Sequence, residues 1–178
     1  MDAMRLIVKS RRALAVSGDT PQVLAAVWQA QALAQVIGSR LAVAGPPELH
    51  REAVGLTELA GRGCGVLARA EPGPGEPLAA QLTEVGDARA ALTRLDGLLG
   101  EVGIALVGTA CSAADEGTYW QCMEAIDAAD ESRDRVREML RRLADRVARP
   151  ERGAPAGPRD GPRAQAFRET VPPRLEAG

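Results

Sequence analysis

At 178 residues the chain is long enough for one domain with a substantial core, and its length argues against two full domains. Hydrophobic residues make up 46% of it but aromatic residues only 2%, so the core must be built from aliphatic side chains, which favours closely packed helices. The formal net charge of −2 excludes the broad basic surface that sequence-independent nucleic-acid binding requires.

Two helices are predicted in the N-terminal part of the chain. Asp2 can cap a helix whose apolar residues recur at three- and four-residue steps to about residue 18. Thr20 is the predicted N-cap of the second helix, with Pro21 at the first helical position and Ala44 at the end, before a Gly-Pro-Pro stop. This second helix is the best-marked element of the sequence.

The middle of the chain is predicted to be less regular. A third helix opens at Pro47, and the glycines of GRGCG at residues 61–65 are interpreted as its frayed end. The EPGPGEP cluster predicts an exposed connection over residues 71–86, with at most one helical turn near residues 78–82.

Two longer helices follow. Asp87 begins a fourth helix that becomes apolar on both sides beyond Leu98, a pattern typical of central helices. A fifth begins between Asp115 and Thr118, runs to about Val147 and is strongly charged in its second half. We therefore predict an all-α, mainly antiparallel bundle of about five helices, with the fourth and fifth at its centre.

The predicted bundle covers residues 1–148, and residues 149–178 form a separate segment. This segment is rich in Pro, Gly and Arg and has almost nothing to bury, so it is predicted to be a disordered tail. Phe167, Val171 and Leu175 in this tail could form a short docking motif that orders on binding.

The cysteines and the apolar runs give expectations about the compartment. Cys64, Cys111 and Cys122 are an odd number without CxxC spacing, so we expect neither a disulfide framework nor a zinc site. The N-terminus lacks a continuous signal-peptide core, and the apolar run over residues 98–111 is too short to span a bilayer. We therefore expect a cytoplasmic protein without membrane contact.

No catalytic constellation is visible in the sequence. His50 is the only histidine and no nearby residue completes a triad, so it is interpreted as a surface histidine. The acidic cluster of the last helix is interpreted as a solvent-exposed face in which Glu131 pairs with Arg135; its members are Glu124, Asp127, Asp130, Glu131 and Asp134. We expect no catalytic residue, no metal and no cofactor, and an enzyme is the less favoured class.

Four residues are candidates for a small-ligand site. Glu101 is the one carboxylate inside an otherwise apolar helix, and its burial would raise its pKa and require a partner. Gln31, Trp28 and Trp120 could line a polar seam in the same bundle. The large aromatic residues Trp28, Tyr119 and Trp120 are expected in the core rather than at an exposed binding hot spot.

Five stretches of the sequence resemble a family of small, uncharacterised actinobacterial proteins that is classed as a domain of unknown function. They are WQAQALAQVIGSRLA from Trp28, GPPELHREA from Gly45, GRGCGVL from Gly61, LGEVGIALVG from Leu99 and YWQCMEAIDAADESRDRVREMLRRL from Tyr119. The resemblance covers residues 1 to about 147. It implies a cytoplasmic, actinobacterial protein, which agrees with basic charge that is nearly all arginine, and it implies no activity and no site residues.

Two classes of function remain open. The missing catalytic residues and the charged last helix favour a non-enzymatic regulatory or scaffold protein that acts through protein contacts. The alternative is a small-ligand or metal-binding bundle with an internal site near Glu101 and the two Trp-Gln pairs. Self-association is left open, whereas nucleic-acid and membrane partners are not expected.

Overall fold

A computed structural model describes residues 1–67 and 77–148. These residues form five α helices: α1 Ala3–Val16, α2 Thr20–Ala44, α3 His50–Leu67, α4 Ala88–Cys111 and α5 Glu116–Ala148. Short 3-10 turns, Pro47–Leu49 and Leu78–Gln81, precede α3 and α4. Helices hold 87% of the described residues, among which there is no strand, so the predicted all-α class is confirmed. The predicted tail, with Phe167, Val171 and Leu175, lies outside the described residues.

Aspartate side chains cap four of the helices. Asp2, Asp87 and Asp115 accept a hydrogen bond from the backbone amide three residues later, as the sequence predicts for the first two. At α2 the cap is Asp19, whose Oδ1 accepts from the Gln22 amide at 2.8 Å, so the predicted N-cap Thr20 is instead the first helical residue.

The contacts between helices show that neighbours run antiparallel. In the α2–α3 pair, the Cys64 thiol donates to the Trp28 carbonyl near one end, and His50 Nδ1 donates to the Ala42 carbonyl at the other. In the α3–α5 pair, Glu48 contacts Arg146 near one end and Val66 contacts Gln121 near the other. In the α4–α5 pair, Asp96 contacts Arg137, and Gly103 lies near Asp130. The predicted antiparallel arrangement follows from these pairings.

The centre of the bundle is formed by α2 and α4. Helix α2 packs against α1, α3 and α4, while α4 packs against α1, α2 and α5. Helix α5 packs mainly on α3 and α4, because only one of its faces is apolar. The predicted central position is therefore right for α4 and wrong for α5. None of the described helices is long and apolar enough to cross a membrane.

The glycines of GRGCG lie inside α3, so their interpretation as a frayed end is wrong. Gly61 and Gly63 face α2, where a Cβ on either would lie 3.0 Å from the side-chain amide nitrogen of Gln35 or Gln31. The glycines thus allow α2 and α3 to pack closely, and this tertiary contact offsets their low helix propensity.

Residues 77–86 are packed against the N-terminus rather than forming an exposed connection. The Met1 ammonium group donates to the Gln81 carbonyl at 2.7 Å, and the Thr83 amide donates to the Met1 carbonyl at 3.0 Å. Ala79 and Leu82 are buried. The predicted exposure is therefore wrong for Ala79 and Leu82, whereas Ala80, Thr83, Glu84 and Gly86 are exposed. The predicted helical turn is present at Leu78–Gln81.

Candidate functional site

The interface between α3 and α5 contains a buried carboxylate, Glu52. Its side chain is only 3% exposed, because it lies on the same helix face as Leu49 and Leu56. Arg135 Nη1 donates to Oε2 at 2.7 Å, and Arg142 Nη2 donates to Oε1 at 2.9 Å. Each carboxylate oxygen therefore meets a guanidinium group of α5, which compensates for the loss of hydration.

Further ion pairs join the same two helices on either side of this buried carboxylate. Arg146 Nη1 donates to Glu48 Oε1 at 2.7 Å, and Arg62 pairs with Glu131 farther along α3. The predicted pair of Glu131 with Arg135 is wrong, because Arg135 turns toward the interface instead. The ion pairs follow the antiparallel order of the two helices and fix their register.

An open groove of about 680 Å³ follows the α3–α5 interface, and we call it the charged groove. Four arginines, four carboxylates and one leucine line it: Arg51, Arg62, Arg135, Arg141, Glu52, Glu131, Asp134, Glu138 and Leu59. Because the two signs balance, the groove lacks the positive field that would attract a phosphate or a nucleic acid. Charges of both signs are suited to a protein surface that also carries both.

Two carboxylates on this face are held in their ionised form. The pKa of Glu48 is lowered by a hydrogen bond from its own backbone amide and by Arg146. The pKa of Glu138 is lowered by a hydrogen bond from Arg141. Since a general acid at neutral pH needs a raised pKa, these groups are suited to ion pairing rather than to proton transfer.

Tyr119 and Trp120 project into solvent from the first turn of α5. Their residues are 41% and 56% exposed, and their rings meet edge to face with centroids 5.4 Å apart. Trp120 Nε1 donates to Glu116 Oε1 at 3.1 Å. The predicted core position is wrong for both residues, because the buried face of α5 begins only at Cys122. Trp28 is half-buried and packs against the core.

A second groove of about 530 Å³ places Trp120 beside the end of α3. Gln121 Nε2 donates to the Val66 carbonyl at 3.0 Å and ties the start of α5 to the last turn of α3. Arg62 lines both this groove and the charged groove. Trp120, whose ring contacts that of Tyr119, therefore forms one continuous surface with the charged groove, and we call this surface with both rings the α3–α5 face.

The four residues predicted to form a ligand site do not come together. Glu101 is partly exposed on α4, where Arg11 of α1 donates to both of its carboxylate oxygens. Gln31 is fully buried, Trp28 is half-buried and Trp120 is exposed. Of the four, only Trp120 lines either groove of the α3–α5 face. Ligand binding at these residues stays a prediction.

Cys64 and His50 are each engaged with a backbone carbonyl group of α2. Burial raises the pKa of the Cys64 thiol to about 11, so that thiol is protonated at neutral pH. His50 is exposed, as predicted, and its ring is engaged with the Ala42 carbonyl. All five carboxylates of the predicted acidic cluster on α5 are exposed, which confirms the solvent face. Within residues 1–67 and 77–148, no group of three or more His, Cys, Asp or Glu side chains could hold a metal ion.

A comparison with family models identifies the chain. A model described as a family of unknown function, DUF6099, matches residues 1–142. The chain belongs to DUF6099. The match to DUF6099 includes all of α1 to α4, the greater part of α5 and both the buried Glu52 and the aromatic pair. No curated protein and no solved structure is significantly similar to the chain.

In this DUF6099 member, sequence reasoning missed Glu52, the residue at the centre of the α3–α5 interface. A signal for it was present, because Glu52 is three residues after Leu49 and four before Leu56 in the apolar stripe of α3. Its partners Arg135 and Arg142 carry no comparable signal. Both are among the six arginines between residues 133 and 146, and only the packing of α3 on α5 selects them.

Proposed function

We propose that the protein is a non-enzymatic regulatory or scaffold protein that binds another protein through the α3–α5 face. The observation that carries the proposal is the exposure of Tyr119 and Trp120 in a chain that has only two tryptophans, one tyrosine and one phenylalanine. Trp, Tyr and Arg are the residue types that contribute most to binding energy at protein interfaces. Here Arg62 lines the same groove as Trp120.

The chemistry of this face defines the kind of partner. An apolar or aromatic side chain of the partner would pack on the edge-to-face rings of Tyr119 and Trp120. Beyond Arg62, the charged groove offers guanidinium and carboxylate groups over the length of the α3–α5 interface. We therefore expect a partner segment with an apolar anchor followed by charges of both signs, bound with a salt-dependent association rate.

We place this activity in the cytoplasm. Cys64, Cys111 and Cys122 are all free thiols, and unpaired cysteines are typical of a reducing compartment.

A double substitution, Tyr119→Ala with Trp120→Ala, tests the proposal without touching the core, since both side chains project outward. The matched control is Val43→Ala, because Val43 is an apolar residue that is even more exposed than the two rings and lies at the opposite end of the α2–α3 pair.

The measurement is quantitative mass spectrometry of proteins that co-purify from the source organism with the tagged full chain. We expect at least one protein to be enriched with the wild type and with Val43→Ala, and to fall at least ~10-fold with the double variant. Circular dichroism and thermal midpoints verify that all three chains are equally folded. A partner that binds the double variant as well as the wild type would contradict the proposal, as would the lack of any specific partner.

A further inference from the structure

The groove along the α3–α5 face continues to the end of α5. A third groove, of about 540 Å³, is lined by Glu48, Glu138, Arg142, Asp145 and Arg146. Glu138 also lines the charged groove, which in turn shares Arg62 with the groove beside Trp120. One continuous groove therefore follows α5 from Trp120 to Arg146. Helix α5 ends at Ala148, so residues 149–178, which we call the C-terminal segment, begin at the end of this groove that is opposite Trp120.

Carboxylates line this groove at every seventh residue of α5. They are Glu124, Glu131, Glu138 and Asp145, and residues seven apart lie on nearly the same side of a helix. Glu131 and Glu138 are paired with arginines of the chain. Neither Glu124 nor Asp145 forms an ion pair with a described residue. The two ends of the row are therefore available to cations from elsewhere.

The C-terminal segment has a charge opposite to that of the bundle. It contains six arginines and four carboxylates, a formal net charge of +2, whereas residues 1–148 carry a formal net charge of −4. Its one aromatic residue, Phe167, is followed directly by Arg168 and Glu169. An apolar anchor followed by charges of both signs is what the α3–α5 face is suited to bind. The chain therefore carries a sequence that complements its own groove.

The length of the chain allows Phe167 to reach the aromatic pair. Trp120 lies 28 residues before the end of α5, which is about 42 Å at a rise of about 1.5 Å per residue. Phe167 lies 19 residues beyond Ala148, and a proline-rich chain at about 3.1 Å per residue spans about 59 Å over that length. A segment that runs back along the groove would bring Arg152 to Asp145 before Phe167 reaches Trp120.

The covalent connection favours this segment over a separate molecule. A short flexible connection gives an effective concentration in the millimolar range. A contact with a dissociation constant of ~0.1 mM between separate molecules would therefore be formed in about nine chains of ten. Such a contact needs no more than one well-packed aromatic anchor and a few ion pairs.

We propose that the C-terminal segment binds the α3–α5 face of its own chain, with Phe167 packed on Tyr119 and Trp120, and that a partner must displace it. The competition with a partner rests on the proposed function, whereas the contact within the chain does not. A face that is covered in most chains would bind a partner more weakly than the same face left open, in proportion to the fraction of open chains.

The first test is photo-cross-linking within the purified full chain. A benzophenone analogue of phenylalanine replaces Phe167 and keeps an aromatic ring there, and the adducts are located by mass spectrometry after proteolysis. We expect adducts in the last turns of α3 and the first turns of α5, around Arg62 and Trp120. Their yield should fall at least ~5-fold with Tyr119→Ala and Trp120→Ala, whereas Val43→Ala should leave it unchanged.

Three results of this experiment would overturn the proposal. One is a set of adducts on the exposed Ile104 and Val107 of α4, which would give Phe167 a different site. Another is labelling that spreads over the bundle without preference. The third is cross-linking between copies: in a mixture of nitrogen-15-labelled and unlabelled chains, adducts that join a labelled to an unlabelled peptide would show that the segment binds a second copy.

The second test measures competition in co-purification from the source organism. Phe167→Ala should raise the amount of captured partner at least ~3-fold, because the face is open in a larger fraction of chains. Gln165→Ala, two residues before the anchor, is the matched control and should not change the capture. Reduced capture by Phe167→Ala would show that Phe167 binds the partner itself, and unchanged capture would show that the segment does not compete. Either result would overturn the proposal.

The two tests separate this inference from the proposed function. If none of the chains captures a partner, the proposed function fails, while cross-linking in the purified chain still decides whether the C-terminal segment binds the α3–α5 face. If a partner is captured through Trp120 but Phe167 gives no adduct on that face, the inference fails and the proposed function stands.

Discussion

Glu52 shows how one residue can set the register of two helices. Its buried carboxylate holds Arg135 and Arg142, which are half-exposed and can be rehydrated when the carboxylate charge is removed. We expect Glu52→Gln to lower the free energy of unfolding by about 1–3 kcal/mol, because the amide keeps the shape but loses the negative charge, and its NH2 group cannot accept from the second guanidinium group.

The matched control for this substitution is Glu131→Gln, which removes a carboxylate from an exposed ion pair on the same interface. Its effect should stay within about 0.5 kcal/mol. Urea denaturation midpoints with unchanged m-values measure both differences. Equal losses in the two variants would show that burial of Glu52 contributes nothing specific.

Gln31 is a second buried polar residue, and unlike Glu52 it is expected to lower the stability of the fold. Its side chain is fully buried, and neither amide atom has a hydrogen-bond partner among the described residues. Gln31→Met keeps the length of the side chain and removes the unsatisfied amide, so we expect it to raise the free energy of unfolding by about 1 kcal/mol. Gln35→Met, one turn later and only half-buried, should give a smaller change in the same urea titration. If Gln31→Met lowers the free energy of unfolding instead, the Gln31 side-chain amide must have hydrogen-bond partners in the folded protein.

At the scale of the helices, alanine substitution at two glycines distinguishes the effect of helix propensity on stability from the effect of helix packing. At Gly38 in α2 a Cβ would lie 2.8 Å from Thr57 Oγ1 and 3.0 Å from the Ala53 carbonyl oxygen of α3, whereas at Gly65 it would meet nothing. We expect Gly65→Ala to stabilise the protein by about 0.5–1 kcal/mol through helix propensity. Gly38→Ala should destabilise it, because the α3 backbone cannot give way. Thermal midpoints that move in the same direction would contradict this account.

Carboxylates at the start and in the second half of α5 should make the unfolding free energy depend on pH. The pKa of Asp115 is lowered by the Thr118 backbone amide, and that of Glu138 by Arg141. A lowered pKa in the folded state stabilises the protein above the ordinary values of 3.8 and 4.5, and this stabilisation is lost as the pH falls through the lower folded values. We therefore expect a plateau in the unfolding free energy near neutral pH and a decline below about pH 4.5.

Substitution of these two acids tests the origin of that decline. Asp115→Asn with Glu138→Gln should make the decline less steep, and Asp127→Asn, on the exposed side of α5, should not. Urea midpoints measured in steps from pH 7 to pH 3 give the comparison. If the unfolding free energy of the double variant declines with falling pH as steeply as that of the wild type, the decline must come from other groups.

Local signals in the sequence were sufficient for the helices of the bundle but not for its surfaces. The caps at Asp2 and Asp87 and the stop after Ala44 predicted helix limits that the structure has within a residue or two. GRGCG was misinterpreted because the cost of glycine is local, while the benefit of its contact with α2 is tertiary. The α3–α5 face could not be predicted, because the exposure of Tyr119 and Trp120 depends on where the buried face of α5 begins.

At the scale of the whole molecule, the bundle has three distinct kinds of outward surface. The α3–α5 face combines exposed aromatic rings with paired charges, and the outward side of α4 exposes Ile104 and Val107. The exposed acidic face of α5 carries Asp127 and Asp130 and resembles an ordinary solvated helix surface. Binding energy is therefore expected to concentrate on the α3–α5 face, in a few residues.

Site-specific photo-cross-linking in living cells of the source organism tests most directly whether the protein acts by binding through the α3–α5 face. A photoreactive phenylalanine analogue would replace one residue at a time: Trp120 or Arg62 on that face, and Val43 or Val16 away from it. The account predicts that positions 120 and 62 give adducts with the same protein and that positions 43 and 16 give none with it. Adducts of equal yield at all four positions, or none at 120 and 62, would contradict it.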